Sequence, residues 1–132
     1  MQILFYPAIF HEAEEGGFWV TFPDFSGVFT QGETIEDAYA MCVDALGLEL
    51  TSREKEKKDF PKASKPSDIN VSENETVVLI EFNMLEYKRR TNSAAVKKTV
   101  SIPGWLNEEA VAKGLNFSAI LQKGLKAELN IL

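Results

Sequence analysis

The 132-residue sequence contains one cysteine, one histidine and no long apolar run. No stretch approaches the roughly 18 apolar residues that a membrane-spanning helix needs, and the amino terminus lacks the positively charged region of a secretory signal. Cys42 cannot form an internal disulfide, and its place in an apolar helical pattern predicts a small buried thiol. These absences favour a cytoplasmic protein with no membrane segment.

Signatures of catalysis and of metal binding are also missing. The sequence has no glycine-rich phosphate loop and no Cys/His metal spacing. A nuclease centre would need clustered carboxylates, yet Glu81 alone falls in a predicted strand, while Asp24 and Glu33 fall in turns. His11 has no Ser or Cys neighbour and begins an acidic turn, so we interpret it as a solvated turn residue. We expect a protein that is not an enzyme and has no cofactor.

Charge is divided unevenly along the chain. Residues 1–87 carry 17 acidic and 6 basic side chains, a net charge of −11, whereas residues 88–132 carry 8 basic and 3 acidic ones, a net charge of +5. This division indicates two surfaces with different partners, one cationic and one polyanionic. An uneven scatter of solvated charges is the alternative.

The first third of the sequence predicts a small sheet. Residues 2–10 form a nearly continuous apolar run with a proline at Pro7, which predicts a strand whose edge carries the proline. A turn at residues 15–17 joins this run to the alternating segment 18–22 as a hairpin. Residues 28–31 predict a third short strand.

A helix and a further strand follow. Thr34 can cap a helix in which Ile35, Ala38, Tyr39, Cys42, Ala45, Leu46 and Leu50 recur at steps of three and four residues. The β-branched run 76–82 predicts a strand buried on both faces, and residues 84–90 predict a short helix. The order β-β-β-α-β predicts an α+β domain over residues 1–92, which ends in a linker of small residues.

Residues 93–132 predict a second, smaller domain. Its segment 96–102 alternates, with Val100 and Ile102 on one face of a strand and Lys97, Thr99 and Ser101 on the other. Gly114 ends a first helix over residues 104–113 through a left-handed conformation, and Asn116 caps a second helix.

This second domain is too small to be stable alone. Phe117, Leu121 and Leu125 repeat every four residues in the last helix, and the single strand has no partner for its hydrogen bonds. Two copies paired strand to strand would solve both problems. We therefore predict a homodimer through Val100, Ile102, Phe117, Leu121 and Leu125.

The paired strands would have the size and polarity of an object that enters a DNA major groove. Two sets of Lys97, Thr99 and Ser101 would face the bases, and the amides around Asn116, Phe117 and Ser118 would offer a phosphate site at a helix start. Residues 88–90 and Lys98 would add to the displacement of counterions. A plain dimerisation module with a polar outer face is the alternative.

The whole chain resembles the HicB antitoxin family of HicA-HicB toxin-antitoxin systems. The following segments match its amino-terminal signature in order and spacing: Tyr6-Pro7-Ala8-Ile9, the glycine turn, Val20-Thr21-Phe22-Pro23-Asp24, Gly27, Thr30-Gln31-Gly32, Thr34-Ile35-Glu36-Asp37-Ala38 and Ala45-Leu46. Pro66-Ser67 and the strand 77–82 sit where that domain, a truncated RNase H-like unit, closes its sheet. Residues 96–129 resemble a ribbon-helix-helix domain, one of two DNA-binding types in the family.

The resemblance implies a partner and a target. The partner would be a HicA-type toxin, a small RNA-cleaving protein that the amino-terminal domain holds inactive, and the target would be operator DNA of the same operon. We expect toxin contacts at Asp24, Phe25 and Glu33, although Phe25 and Ser26 depart from the Leu-Pro pair that is common in the family's turn. A stand-alone ribbon-helix-helix regulator with a sensing domain is the alternative, and a higher assembly through the sheet edges stays open.

Overall fold

The computed structural model describes residues 3–131 and contains both strands and helices. The elements are β1 (Ile3–Glu12), β2 (Phe18–Thr21), β3 (Phe29–Gly32), α1 (Ile35–Lys55), a 3-10 turn (Pro66–Asp68), β4 (Glu75–Asn83), α2 (Met84–Thr91), α3 (Gly104–Ala112) and α4 (Phe117–Glu128). The predicted order β-β-β-α-β and the α+β class are therefore confirmed. The chain divides between Ser93 and Ala94 into two compact units.

The four strands form one antiparallel sheet in the order β3-β2-β1-β4. β1 pairs with β4 from Ile3 to His11 but with β2 only from Ile9 onward. β1 therefore lies inside the sheet over its carboxy-terminal part only, and the prediction that the proline lies at an edge of the strand is confirmed. Pro7 is compatible with this place because, at its position, β1 has a neighbouring strand on one side only.

The helix α1 covers one face of the sheet. The Thr34 hydroxyl accepts a hydrogen bond from the Asp37 amide at 3.1 Å, which confirms the predicted cap. One turn apart along α1, the following side chains are buried: Ala38, Cys42, Leu46 and Leu50. Burial raises the pKa of the Cys42 thiol to about 12, so the thiol is protonated and unreactive at neutral pH. Ile35, which the same pattern predicted to pack, is exposed.

The strand β4 is buried on one face only. Ile80 and Phe82 are fully buried toward α1, whereas Leu79 is 46% exposed and Glu81 is exposed. The prediction of a strand buried on both faces is therefore wrong. The reason is that β4 is an outer strand of a sheet with a helix on one side, so its apolar content does not determine its burial.

The helix α2 packs against α1 through a glycine. A Cβ atom added at Gly47 would lie 2.0 Å from Cε1 of Tyr87, so the tyrosine ring rests directly on the α1 backbone. Beside it, Arg90 pairs with Asp44 at 2.6 Å, while Lys88 pairs with Glu54 at the same distance.

The basic cluster 88–90 is thus already used within the amino-terminal unit. Its third member, Arg89, pairs with Glu86 at 2.8 Å. Charges that are neutralised by acidic partners of their own domain displace few counterions from DNA. The assignment of these three residues to DNA binding loses its support for this reason.

The carboxy-terminal unit has the predicted helices. Gly114 has a φ of +64°, and the Leu115 amide donates to the Ala110 carbonyl at 3.1 Å, which closes α3 as expected. The Asn116 side chain accepts from the Ala119 amide at 3.0 Å and caps α4. Residues 92–103 have no regular secondary structure, so the predicted strand 96–102 is not formed in the single chain.

We predict that Gly47→Ala destabilises the amino-terminal unit by about 1–3 kcal/mol, because the new methyl group would push Tyr87 off α1. Urea unfolding of both proteins measures this change. Ser52→Ala, at an exposed position of the same helix, is the control and should alter stability by less than about 0.5 kcal/mol. A gain in stability, as glycine-to-alanine changes give at open helix positions, would contradict this packing.

Candidate functional site

The face of the sheet opposite α1 carries exposed aromatic and aliphatic side chains. By strand register, Trp19 and Phe29 point to this face on β2 and β3, while Phe5 and Leu79 do so on β1 and β4. Phe29 is 74% exposed and Trp19 is 48% exposed. Exposed aromatic groups next to one another on a sheet are typical of surfaces that bind another molecule.

His11 connects three strands of this face. Its Nδ1 lies 2.7 Å from a carboxylate oxygen of Glu75 on β4, and its Nε2 lies 2.9 Å from the Thr21 hydroxyl on β2. The imidazole also stacks on Trp19, with 3.6 Å between ring centroids and 8° between planes. The interpretation of His11 as a solvated turn residue is therefore wrong, because β1 continues through it and pairs on both sides there.

Glu75 has a second partner at this position. The Ser72 amide donates to its carboxylate at 2.7 Å. This hydrogen bond is the main reason why the pKa of Glu75 is lowered, and the nearby His11 contributes to the same direction. The start of β4 is thereby fixed against β1.

The turn after β2 brings Asp24 and Phe25 together, but it uses both for internal contacts. The Asp24 carboxylate accepts hydrogen bonds from the amide and the hydroxyl of Ser64. Phe25 is 1% exposed and packs edge-on against Tyr6, with ring centroids 4.7 Å apart. The expectation of a toxin contact at Phe25 does not fit this burial, because its ring belongs to the core.

Glu33 lies elsewhere, at the end of β3, and lines a cavity of about 610 Å³ together with Glu15 and Asp37. A second cavity of about 480 Å³ adjoins it, and its lining is Trp19, Thr21, Phe29, Thr30 and Gln31. Trp19 and Gln31 belong to both linings, so the two cavities are neighbours, and together they are called the groove beside β3 below. The alternation of residues 18–22 already placed Trp19 opposite the core side chains, but the sequence prediction gave it no role.

The carboxy-terminal unit has no core of its own. No residue of α3 or α4 is buried. The five residues predicted for dimerisation are between 38% and 58% exposed: Val100, Ile102, Phe117, Leu121 and Leu125. Apolar side chains spaced along one helix and left in water indicate a surface that another chain covers.

The predicted DNA-binding residues lie in two places in this unit. Lys97, Thr99 and Ser101 are exposed in the segment without regular secondary structure. At the start of α4, a cavity of about 600 Å³ begins at Asn116 and Ser118 and continues to two basic residues that sequence reasoning missed, Lys123 and Lys126. Both lysines follow Ser118 within about two turns of the helix, and this spacing was the sequence signal that could have identified them.

Within residues 3–131, no three His, Cys, Asp or Glu side chains are grouped so that they could hold a metal ion. In the same range, the helices are too short or too polar to cross a membrane.

A known family matches this chain over most of its length. The family described as "HicB_like antitoxin of bacterial toxin-antitoxin system" matches residues 6–123. Antitoxin HicB 1 of Photorhabdus laumondii is 49% identical over 41 residues, which are 31% of this chain and 26% of that relative. The match thus spans about a quarter of the relative's own length.

Two solved structures have a similar fold. A chain of a toxin-antitoxin complex from Streptococcus pneumoniae aligns with a TM-score of 0.63 and 24% identity, and the alignment covers 96% of this chain and 99% of that chain. A chain of the HicA3 and HicB3 toxin-antitoxin complex aligns with a TM-score of 0.51 and 22% identity over 61% of this chain and 99% of that one. At these identities, the likeness describes the fold alone.

We predict that Glu75→Gln reduces the acid sensitivity of the amino-terminal unit. The pKa of Glu75 is lowered in the folded state, so its contribution to stability is present above its ordinary pKa of 4.5 and is lost as the pH falls through the lowered value. Urea midpoints of both proteins above and below pH 4.5 measure this. The gap between them should narrow in acid, and Glu73→Gln is the control. A constant gap at all pH values would contradict the prediction.

Proposed function

Because this chain belongs to the HicB-like antitoxin family of bacterial toxin-antitoxin systems, we propose that it neutralises a HicA-type toxin and represses its own operon. The amino-terminal unit, a truncated RNase H-like domain, binds the toxin. The carboxy-terminal unit, a ribbon-helix-helix domain, forms a homodimer on operator DNA. Because the proposed toxin and the operator DNA are both in the bacterial cytoplasm, we propose that the protein acts there.

One observation supports the assignment of toxin binding to the amino-terminal unit and of dimerisation to the carboxy-terminal unit. The amino-terminal unit has a complete core, whereas α3 and α4 contain no buried residue. An acidic unit with its own core can bind a partner as a preformed surface. A unit without a core needs a second polypeptide before it is stable.

A second copy of the chain supplies what the carboxy-terminal unit lacks. Pairing of two segments 96–102 would satisfy their backbone hydrogen bonds, and the apolar side of α4 would be covered at the same time. Val100 and Ile102 then face the helices, while Lys97 and its polar neighbours face outward. This arrangement follows from the alternation of the segment.

The outward side chains are suited to the reading of DNA. Lysine donates to guanine acceptors, and the hydroxyls of Thr99 and Ser101 suit several base edges. The amides of Phe117 and Ser118 at the start of α4 hold a phosphate, since the Asn116 side chain already caps the Ala119 amide. Lys123 and Lys126 add positive charge on the same side of α4.

The toxin is a basic partner for the acidic unit. An enzyme that binds RNA presents positive charge, and residues 1–87 carry a net charge of −11. The HicA3 and HicB3 complex, one chain of which is similar in fold to part of this chain, is named as a toxin-antitoxin complex. We propose the same kind of pairing for this chain.

The toxin arm of the proposal predicts that residues 1–93 suffice to neutralise the cognate toxin, because this unit has a core without α3 and α4. Co-expression of the fragment with the toxin should restore bacterial growth, and a pull-down should recover the complex. Residues 94–132 are the control and should do neither. A folded fragment that does not bind the toxin would overturn this arm.

The DNA arm predicts that Lys97→Ala weakens the preference for operator over scrambled DNA by about 1–3 kcal/mol per lost base contact. Titration of both DNAs at several salt concentrations measures the preference and the number of counterions released. Lys113→Ala, at the end of α3, is the matched control. Leu121→Glu places a charge in the proposed dimer interface. This variant should neither dimerise nor bind the operator.

Two outcomes would contradict the DNA arm. If Lys97→Ala, still dimeric by light scattering, keeps the wild-type preference, segment 96–102 is not the reading surface. If Leu121→Glu leaves the dimer intact, dimerisation lies elsewhere.

A further inference from the structure

The strand β3 forms an outer edge of the sheet. It pairs with β2 on one side, and no strand within residues 3–131 pairs with its other side. Its four residues contain no proline and no lysine, which are the usual means of blocking an edge. An edge of this kind can accept an extended segment of another protein as an added strand.

The groove beside this edge has a preformed apolar part. Trp19 and Phe29 flank the cavity of about 480 Å³, and Thr21, which pairs with Phe29, also lines it. Trp19 is held by its stacking on His11, and His11 is itself fixed by Glu75 and Thr21. A side chain that is already immobilised costs little further entropy when a partner binds.

The other part of the groove is acidic. Glu15, Glu33 and Asp37 line the adjoining cavity, and none of the ion pairs within residues 3–131 involves them. Residues 1–52 contain nine acidic side chains and no lysine or arginine. Two copies of this surface would therefore repel each other, whereas a basic partner is attracted.

We propose that the toxin docks in this groove through an extended segment that pairs with β3. An apolar side chain of the segment inserts between Trp19 and Phe29, and a neighbouring lysine or arginine reaches Glu33 and Asp37. The proposal rests on the proposed toxin partner and names the surface that binds it. The Asp24 turn, which is tied to Ser64, is then part of the scaffold.

Isothermal titration of the full-length chain with its cognate toxin tests the groove. Phe29→Glu and Glu33→Lys alter the apolar and the acidic part, and each should weaken toxin binding by about tenfold or more, as central interface positions do. Leu48→Glu is the matched apolar control, because Leu48 on α1 is 71% exposed against 74% for Phe29. Asp68→Lys is the matched charge control. Both controls should bind within about twofold of wild type.

Fluorescence provides a second, independent readout. Trp19 and Trp105 are the two tryptophans, so a Trp105→Phe background reports on Trp19 alone. Toxin binding should shift the emission of Trp19, since the segment would remove its exposed edge from water.

The outcomes separate the two proposals. If wild type does not bind the toxin, the proposed function fails. If wild type binds and both groove variants bind equally well, with Trp19 emission unchanged, the groove is wrong while the function stands. If Leu48→Glu alone abolishes toxin binding, the toxin docks on α1. If Phe29→Glu reduces the size of the free protein in light scattering, the groove is an interface between copies of this chain. Either result overturns the inference.

Discussion

A single helix lies on the four-stranded sheet, and one helix can cover only one face. The buried stripe of α1 and the inward side chains of β1, β2 and β4 form most of the core of the unit, and the turn after β2 adds Phe22 and Phe25. Apart from Pro7, which is buried, the apolar side chains on the other face remain in contact with water unless a partner covers them. The exposure of Trp19 and Phe29 and the His11 contacts follow from this one-sided arrangement, while the free edge of β3 follows from the strand order.

The carboxy-terminal unit, in contrast, has no buried core in the single chain. Its helix α4 is amphipathic and is capped by Asn116, and α3 is closed at Gly114, yet none of their side chains is buried. Capping and local hydrogen bonds fix where α3 and α4 begin and end, but they contribute far less than the burial of a shared apolar face. The proposed dimer would supply the missing burial, so the stability of this unit and its proposed role would depend on the same contact.

The structure also changes which basic residues belong to the carboxy-terminal unit. Lys88 and Arg90 pair with acidic residues of α1, so they belong electrostatically to the amino-terminal unit. The carboxy-terminal unit then keeps five basic and three acidic residues. A polyanionic partner would therefore be attracted by a small excess of basic residues. For such a partner, the positions of four lysines matter more than the net charge of the half-sequence: Lys97, Lys98, Lys123 and Lys126.

The sequence by itself determined the elements whose signals are local. The Thr34 and Asn116 caps, the glycine closure after α3, the order β-β-β-α-β and the buried Cys42 could all be predicted, because each depends on residues within a turn or two of the same chain.

Only the tertiary structure decided what depends on neighbours distant in sequence. It placed the carboxy-terminal part of β1 inside the sheet, exposed one face of β4, brought His11 to Glu75 across 64 residues, and buried Phe25 beneath the turn that was expected to bind the toxin. Strand order and the side on which a helix packs are set by the sum of many long-range contacts, and hydrophobic periodicity records that a face is apolar without recording what covers it.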